Sequence, residues 1–100
     1  MTAERVNTFA EGMATRVTFD LTFAILKELL DDIVVLDEAE LEEGVRVALR
    51  YTHNLAEGSG AAPLAAAKKY GQKLAGKKIG CVMSGGNIDL KTLAGIVGCA

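Results

Sequence analysis

Residues 76–90 read GKKIGCVMSGGNIDL, and the order of residue types in this stretch sets the architecture. Ile79-Gly80-Cys81-Val82-Met83 is a short, continuous apolar run, the composition of a strand covered on both faces. Gly76 ends whatever helix precedes it. Ser84-Gly85-Gly86-Asn87 leaves the C-terminal end of the strand as a glycine-rich turn. Residues 88–97 then place Leu90, Leu93, Ile96 and Val97 at helical spacing.

Moving toward the N-terminus, the same alternation recurs. Ser59 stands as an N-cap for a helix from about 60 to 74, with Pro63 in its first turn, where proline is tolerated. Leu64, Ala67 and Leu74 are expected to face inward, and Lys68, Lys69 and Lys73 to cover the outer, C-terminal half. Residues 38–53 carry Leu41, Val45, Ala48, Leu49 and Thr52 on one face of a further helix, capped by Asp37. Ile33-Val34-Val35-Leu36 reads as a second buried strand, and residues 21–30 as an amphipathic helix with Asp20 as its N-cap. The expected fold class is α/β: a partial three-layer parallel sheet with flanking helices, in a single domain over residues 1–100. A parallel sheet with only two clear strands cannot cover its own edges and faces. The chain is therefore expected to belong to a larger sheet or to borrow one by forming a homo-oligomer, most simply a twofold dimer.

Composition narrows the functional classes. The chain has 100 residues, of which half are hydrophobic and 24% charged. At 10.5 kDa, size scaling gives a compact monomer about 5,400 Å² of surface, which allows one modest core. Residues 20–43 hold nine acids and one lysine, and residues 44–100 hold eight bases and two acids. Each block falls on an expected helix face or end, and the aromatics (Phe9, Phe19, Phe23, Tyr51, Tyr70) are too few and scattered to stack bases, so no nucleic-acid partner is expected. No membrane partner is expected either, because no apolar run approaches the length of a span. Cys81 and Cys99 lack a CxxC pattern and sit in apolar runs, which reads as two buried thiols in a reducing compartment. With no apolar signal region at the N-terminus, the expected location is the cytoplasm.

Ligands of open α/β sheets bind beyond the carboxyl ends of the strands. Two segments have that address: Glu57-Gly58-Ser59-Gly60 at a helix start, and Ser84-Gly85-Gly86-Asn87 after a strand. Paired glycines admit close backbone approach, and a serine hydroxyl supplies one hydrogen bond. The lone His53 reads as a surface or capping residue late in a helix. No metal site is expected, since no second histidine or paired thiol stands at ligand spacing. Glu38, Glu40, Glu42 and Glu43 read as a solvated face, and Tyr51 and Tyr70 as packing residues.

These two segments carry a resemblance. LAEGSGAAPLAAA (55–67) followed by GKKIGCVMSGGNIDL (76–90) resembles the C-terminal part of the threonine dehydratase (threonine ammonia-lyase) group, which includes serine dehydratases and serine racemase. TFAEGMATR (8–16) is similar to the group's Ala-Asp-Gly segment, with Glu11 in place of the usual Asp. LLDDIVVLDEAEL (29–41) resembles the segment that follows, so the likeness covers about residues 6–97. Such enzymes have the fold type II architecture and use pyridoxal phosphate to deaminate threonine or serine to a 2-oxo acid and ammonia.

The resemblance implies that Ser84 hydrogen-bonds the pyridine nitrogen of the cofactor. A hydroxyl there need not protonate the ring, which suits β-elimination. It also implies that Gly85 and Gly86 let the loop pass close to the ring, and that Glu57 is an acid near the ring edge. Gly58 replaces the proline often found beside that acid. The group's Schiff-base lysine segment, its phosphate-cradling glycine loop and most of its metal site have no counterpart in this sequence. The chain is thus expected to be the C-terminal portion of a cofactor domain and to be inactive alone. The competing readings are a self-associating α/β module without cofactor and, last, a phosphate- or nucleotide-binding module using residues 84–87.

Overall fold

A computed structural model describes residues 5–98. Among the described residues four α-helices follow one another: α1 (Asp20–Leu29), α2 (Glu38–Val47), α3 (Gly58–Lys69) and α4 (Leu90–Val97). A 3-10 turn at Glu11–Met13 precedes α1, and a π-helical turn at Ala48–Thr52 continues α2.

Local chemistry explains where the helices begin. Asp37 and Glu40 form a capping box: the Asp37 carboxylate accepts from the Glu40 N–H at 2.8 Å, and the Glu40 carboxylate accepts from the Asp37 N–H at 2.8 Å. Two of the donors left unpaired at a helix start are satisfied in this way. Asp89 caps α4 similarly, accepting from the Thr92 N–H at 2.7 Å and the Thr92 hydroxyl at 3.0 Å. Two expected caps are corrected. Phe19, not Asp20, is the N-cap of α1, and Glu57, not Ser59, is the N-cap of α3, neither with a side-chain cap bond. With α3 starting at Gly58, Pro63 is its sixth residue and lies beyond the first turn. The helix ends at Lys69 rather than near 74, and Gly76 adopts φ +79, the left-handed conformation that glycine tolerates. His53 also has positive φ, as the exposed C-cap of the π turn.

The core is small and built largely of small residues. Val45, Ala48, Ala56, Ala61 and Ile96 form its buried centre, with Phe9, Leu49, Leu64, Met83, Ile88 and Leu93 packed around it. α2 and α3 meet through Gly44, where a Cβ would stand 2.8 Å from the Ala61 carbonyl oxygen and 3.0 Å from the Ala65 Cβ. Charges stitch the rim of this contact. Glu43 accepts from Lys68 at 2.6 Å and from Arg46 at 2.8 Å, and Lys69 pairs with Glu40 at 3.0 Å. Arg46 also donates to the Ile96 carbonyl at 3.0 Å, tying α2 to the last turn of α4. Glu40 and Glu43 are therefore bonded groups rather than a purely solvated face.

No strand forms among the described residues. Residues 33–36 and 79–83, expected as buried strands, are irregular and largely exposed: Val35 is 78% and Val82 77% accessible. The cause is the missing neighbour, since a strand is stabilised only by the ladder that pairs it. Both runs lie alongside α3 all the same. The Lys69 ammonium donates to the Val35 carbonyl at 2.9 Å, and the Cys81 thiol to the Pro63 carbonyl at 3.7 Å. Val34 and Ile79 line one open groove of about 380 Å³ over Pro63, Ala66 and Tyr70.

Among the described residues the expected cover of α1 is also absent: Leu21, Phe23, Ile25, Leu26 and Leu29 are all exposed. Cys81 is exposed rather than buried, and Cys99 lies outside the described residues. Tyr51 is exposed rather than packed, and Tyr70 is half-buried with the Lys73 ammonium 5.2 Å from its ring centre. Of the four apolar positions of α4, Leu90 and Val97 are exposed, whereas Leu93 and Ile96 reach the core. The accessible surface is 7775 Å², against about 5,400 Å² for a compact chain of this mass. The radius of gyration is 14.5 Å, against about 13 Å for a compact domain of this length.

Candidate functional site

The start of α3 is the meeting point of three segments. From one side comes the turn after residues 79–83. The Glu57 N–H donates to the Gly85 carbonyl at 3.1 Å. A Cβ on Gly60 would overlap the Gly85 carbonyl oxygen and come within 3.1 Å of the Gly85 nitrogen. A Cβ on Gly85 would stand 2.5 Å from Glu57 Oε1, and one on Gly86 2.5 Å from the Leu55 carbonyl oxygen. From the other side comes the 3-10 turn. A Cβ on Gly58 would meet the Phe9 ring at 2.7 Å, and one on Gly12 would meet Ser59 Oγ at 2.7 Å. The five glycines thus let three backbone segments pack at a distance that side chains forbid.

This arrangement brings together the four expected site residues, Glu57, Ser84, Gly85 and Gly86. It also gives the glycines a further role. At Gly85 and Gly86 the space a side chain would take is already filled by Glu57 and Leu55, so these glycines serve the docking of the loop onto α3. Ser84 is left exposed at the end of that docked loop, while Glu57 and Gly85 are half-buried.

Beside the loop is a cleft of about 200 Å³, lined among others by Phe9, Glu11, Glu57, Asn87, Asp89 and Thr92. The Asp89 carboxyl is held below the ordinary carboxylate range by the Thr92 N–H and then by the Thr92 hydroxyl, so it stays ionised as the cap of α4. Ser59 Oγ is buried without a hydrogen-bond partner, next to this cleft's Gly58 and Glu57. No lysine lines the cleft among the described residues, and no group of three or more His, Cys, Asp or Glu side chains there is arranged to hold a metal ion. Glu11, Asp89 and Thr92 were not among the expected site residues. Asp89 and Thr92 had a legible signal in their N-cap spacing; the place of Glu11 follows from the packing of Gly12 and Gly58 against neighbouring segments.

A protein that holds a pyridine ring must offer a polar group for the ring nitrogen and a wall the ring can approach. The exposed Ser84 on a loop docked at the start of α3, with the Glu57 carboxylate beside Gly85, fits one such wall.

Residues 1–85 match the family described as pyridoxal-phosphate dependent enzyme, and the chain belongs to that family. The family's cofactor, pyridoxal phosphate, is therefore the cofactor of the parent enzyme. The chain is 41% identical over 91 residues to an L-threonine ammonia-lyase of Geobacter sulfurreducens, covering 90% of this chain and 22% of that protein. It is 38% identical over 99 residues to an L-threonine ammonia-lyase of Thermotoga maritima, covering 95% of this chain and 24% of that one. A serine racemase of Schizosaccharomyces pombe is 34% identical over 87 residues, covering 87% of this chain and 27% of that protein. The chain thus spans about a quarter of the length of the curated relatives it matches.

Proposed function

We propose that this chain is the C-terminal portion of the cofactor domain of a threonine or serine dehydratase, one that deaminates L-threonine to 2-oxobutanoate and ammonia. The observation that carries the reading is the seating of the Ser84–Gly86 loop on Glu57 and Gly60, which holds one hydroxyl outward on a fixed backbone. Pyridoxal phosphate, when bound, supplies an electron sink for the α-carbon of the amino acid. The residues of this chain hold and orient it: Ser84 donates to or accepts from the ring nitrogen, and Glu57 flanks the ring edge. Residues 33–36 and 79–83 become buried parallel strands where the rest of the sheet pairs with them. The chain by itself is inactive, because no residue of it takes the place of the Schiff-base lysine segment. The parent works in the cytoplasm on an amino-acid substrate, without a nucleic-acid or membrane partner.

Self-association is the second reading, and a specific observation favours it. The surface exceeds that of a compact monomer by about 2,300 Å², an amount on the scale of an obligate interface. A homodimer covering the apolar faces of α1 and residues 33–36 accounts for that excess.

The test is Ser84→Ala in the whole enzyme. Losing one hydrogen bond costs about 0.5–1.5 kcal/mol net, so pyridoxal phosphate affinity is expected to fall by roughly two- to tenfold while the helical content stays unchanged. Wild-type affinity and turnover in that variant would remove Ser84 from the role.

A further inference from the structure

We infer that Gly60 is a positioning residue: the absence of a side chain there sets where the Ser84–Gly86 loop stands. This rests on the reading of Ser84 given above and adds a second residue to it, one that touches no ligand. Two contacts meet at one carbonyl oxygen. The Gly85 oxygen accepts from the Glu57 N–H at 3.1 Å, and the Gly60 Cα faces the same oxygen so closely that an added Cβ would overlap it. That Cβ would also lie 3.1 Å from the Gly85 nitrogen and 3.2 Å from its carbonyl carbon. All three atoms are backbone, so no rotamer change relieves the contact, and the loop and the start of α3 must part. Gly60 is itself buried inside α3, where its helical backbone gives it no conformational need to be glycine. The close approach of Gly85 is what requires it.

The loop makes two further close approaches: a Cβ on Gly86 would stand 2.5 Å from the Leu55 carbonyl oxygen, and one on Gly85 2.5 Å from Glu57 Oε1. A side chain at residue 60 therefore pushes the loop out, carrying Ser84 with it, by a distance on the order of 1 Å, a scale at which misplaced groups lose up to ~10²-fold in rate.

The experiment has two arms. In the isotope-labelled chain, Gly60→Ala is expected to shift the amide resonances of Ser84, Gly85 and Gly86 and to leave the methyl resonances of Val45 and Ile96 in place. Gly80→Ala, where an added Cβ has nothing within 4 Å, is the control and should leave the loop signals unmoved. In the whole enzyme, Gly60→Ala should weaken pyridoxal phosphate binding by about two- to tenfold and lower turnover further. Unshifted loop resonances, or loop and core resonances shifting equally, overturn the inference. If the loop signals move but neither Gly60→Ala nor Ser84→Ala changes cofactor affinity, the positioning stands and the role of Ser84 falls. If Gly60→Ala does not fold, the unsubstituted chain still decides: the Glu57 amide must exchange slowly with solvent because it is bonded to Gly85, and fast exchange there overturns the inference.

Discussion

Replacing Gly44 by alanine sets two energies of similar size against each other, and the structure says which is larger. Gly44 is buried inside α2. An alanine in a helix interior is worth about 1 kcal/mol more than glycine, because glycine gives up more backbone freedom on folding. Against this, the new Cβ would stand 2.8 Å from the Ala61 carbonyl oxygen and 3.0 Å from the Ala65 Cβ. One neighbour is backbone and the other a Cβ fixed to it, so α2 and α3 must separate. Overpacking of this kind costs about 1–3 kcal/mol. The net expectation is a loss of about 1 kcal/mol. Gly95, in the interior of α4, makes the matched control: a Cβ there has nothing within 4 Å. Gly95→Ala keeps the propensity gain without the clash and should stabilise by about 0.5–1 kcal/mol.

Urea unfolding followed by helical circular dichroism separates the two. With a slope near 1 kcal/mol/M for so small a chain, the midpoint should fall by about 1 M in Gly44→Ala and rise by about 0.5–1 M in Gly95→Ala. Opposite signs are the signature. If both substitutions raise the midpoint equally, the α2–α3 contact through Gly44 is refuted.

Three further outcomes are expected. Lys68 first, and Arg46 second, lower the Glu43 carboxyl from 4.5 to about 2, so between those values the folded chain binds fewer protons than the unfolded one. The stability this group contributes is full above about pH 4.5 and is lost as pH falls through about 2; Glu43→Gln should flatten the urea midpoint across that window, and parallel pH profiles would deny the pairing. The chain mixed with pyridoxal phosphate and L-threonine should release no 2-oxobutanoate above the cofactor's own background, and steady turnover would overturn the portion-of-an-enzyme reading. Light scattering at low micromolar concentration should give a mass above 10.5 kDa; a monodisperse monomer would reject self-association.

What could be read from the sequence was local. Asp37 and Glu40 stand at capping-box spacing, and the structure pairs them in both directions. The apolar positions of α2 and the π turn that continues it place Leu41, Val45 and Ala48 inward as their periodicity requires. What could not be read depends on a neighbour. The apolar run 33–36 reads as a covered strand, but cover and pairing come from other segments, and among the described residues no strand pairs with it and α3 covers it only in part. The face of α1 reads as amphipathic for the same reason and remains exposed. Pattern reports what a segment can bury; it does not report whether anything is there to bury it.

The site follows the same division, and it explains how a loop can be fixed on a chain with so small a core. Residue type marks Ser84 and Glu57, because a hydroxyl and a carboxylate near glycines are chemically conspicuous. The glycines at 58 and 60 carry no chemistry; the sequence marks their segment, but what they stand against is visible only in three dimensions. A loop without side chains at 85 and 86 has little apolar surface with which to anchor itself. Here it is anchored by backbone: one hydrogen bond to Glu57 and two approaches that a Cβ would forbid. That anchoring is local to residues 55–60 and 84–86, so it survives where strand pairing is absent. The same chain therefore leaves its expected sheet unpaired while keeping the loop of its candidate site seated on α3.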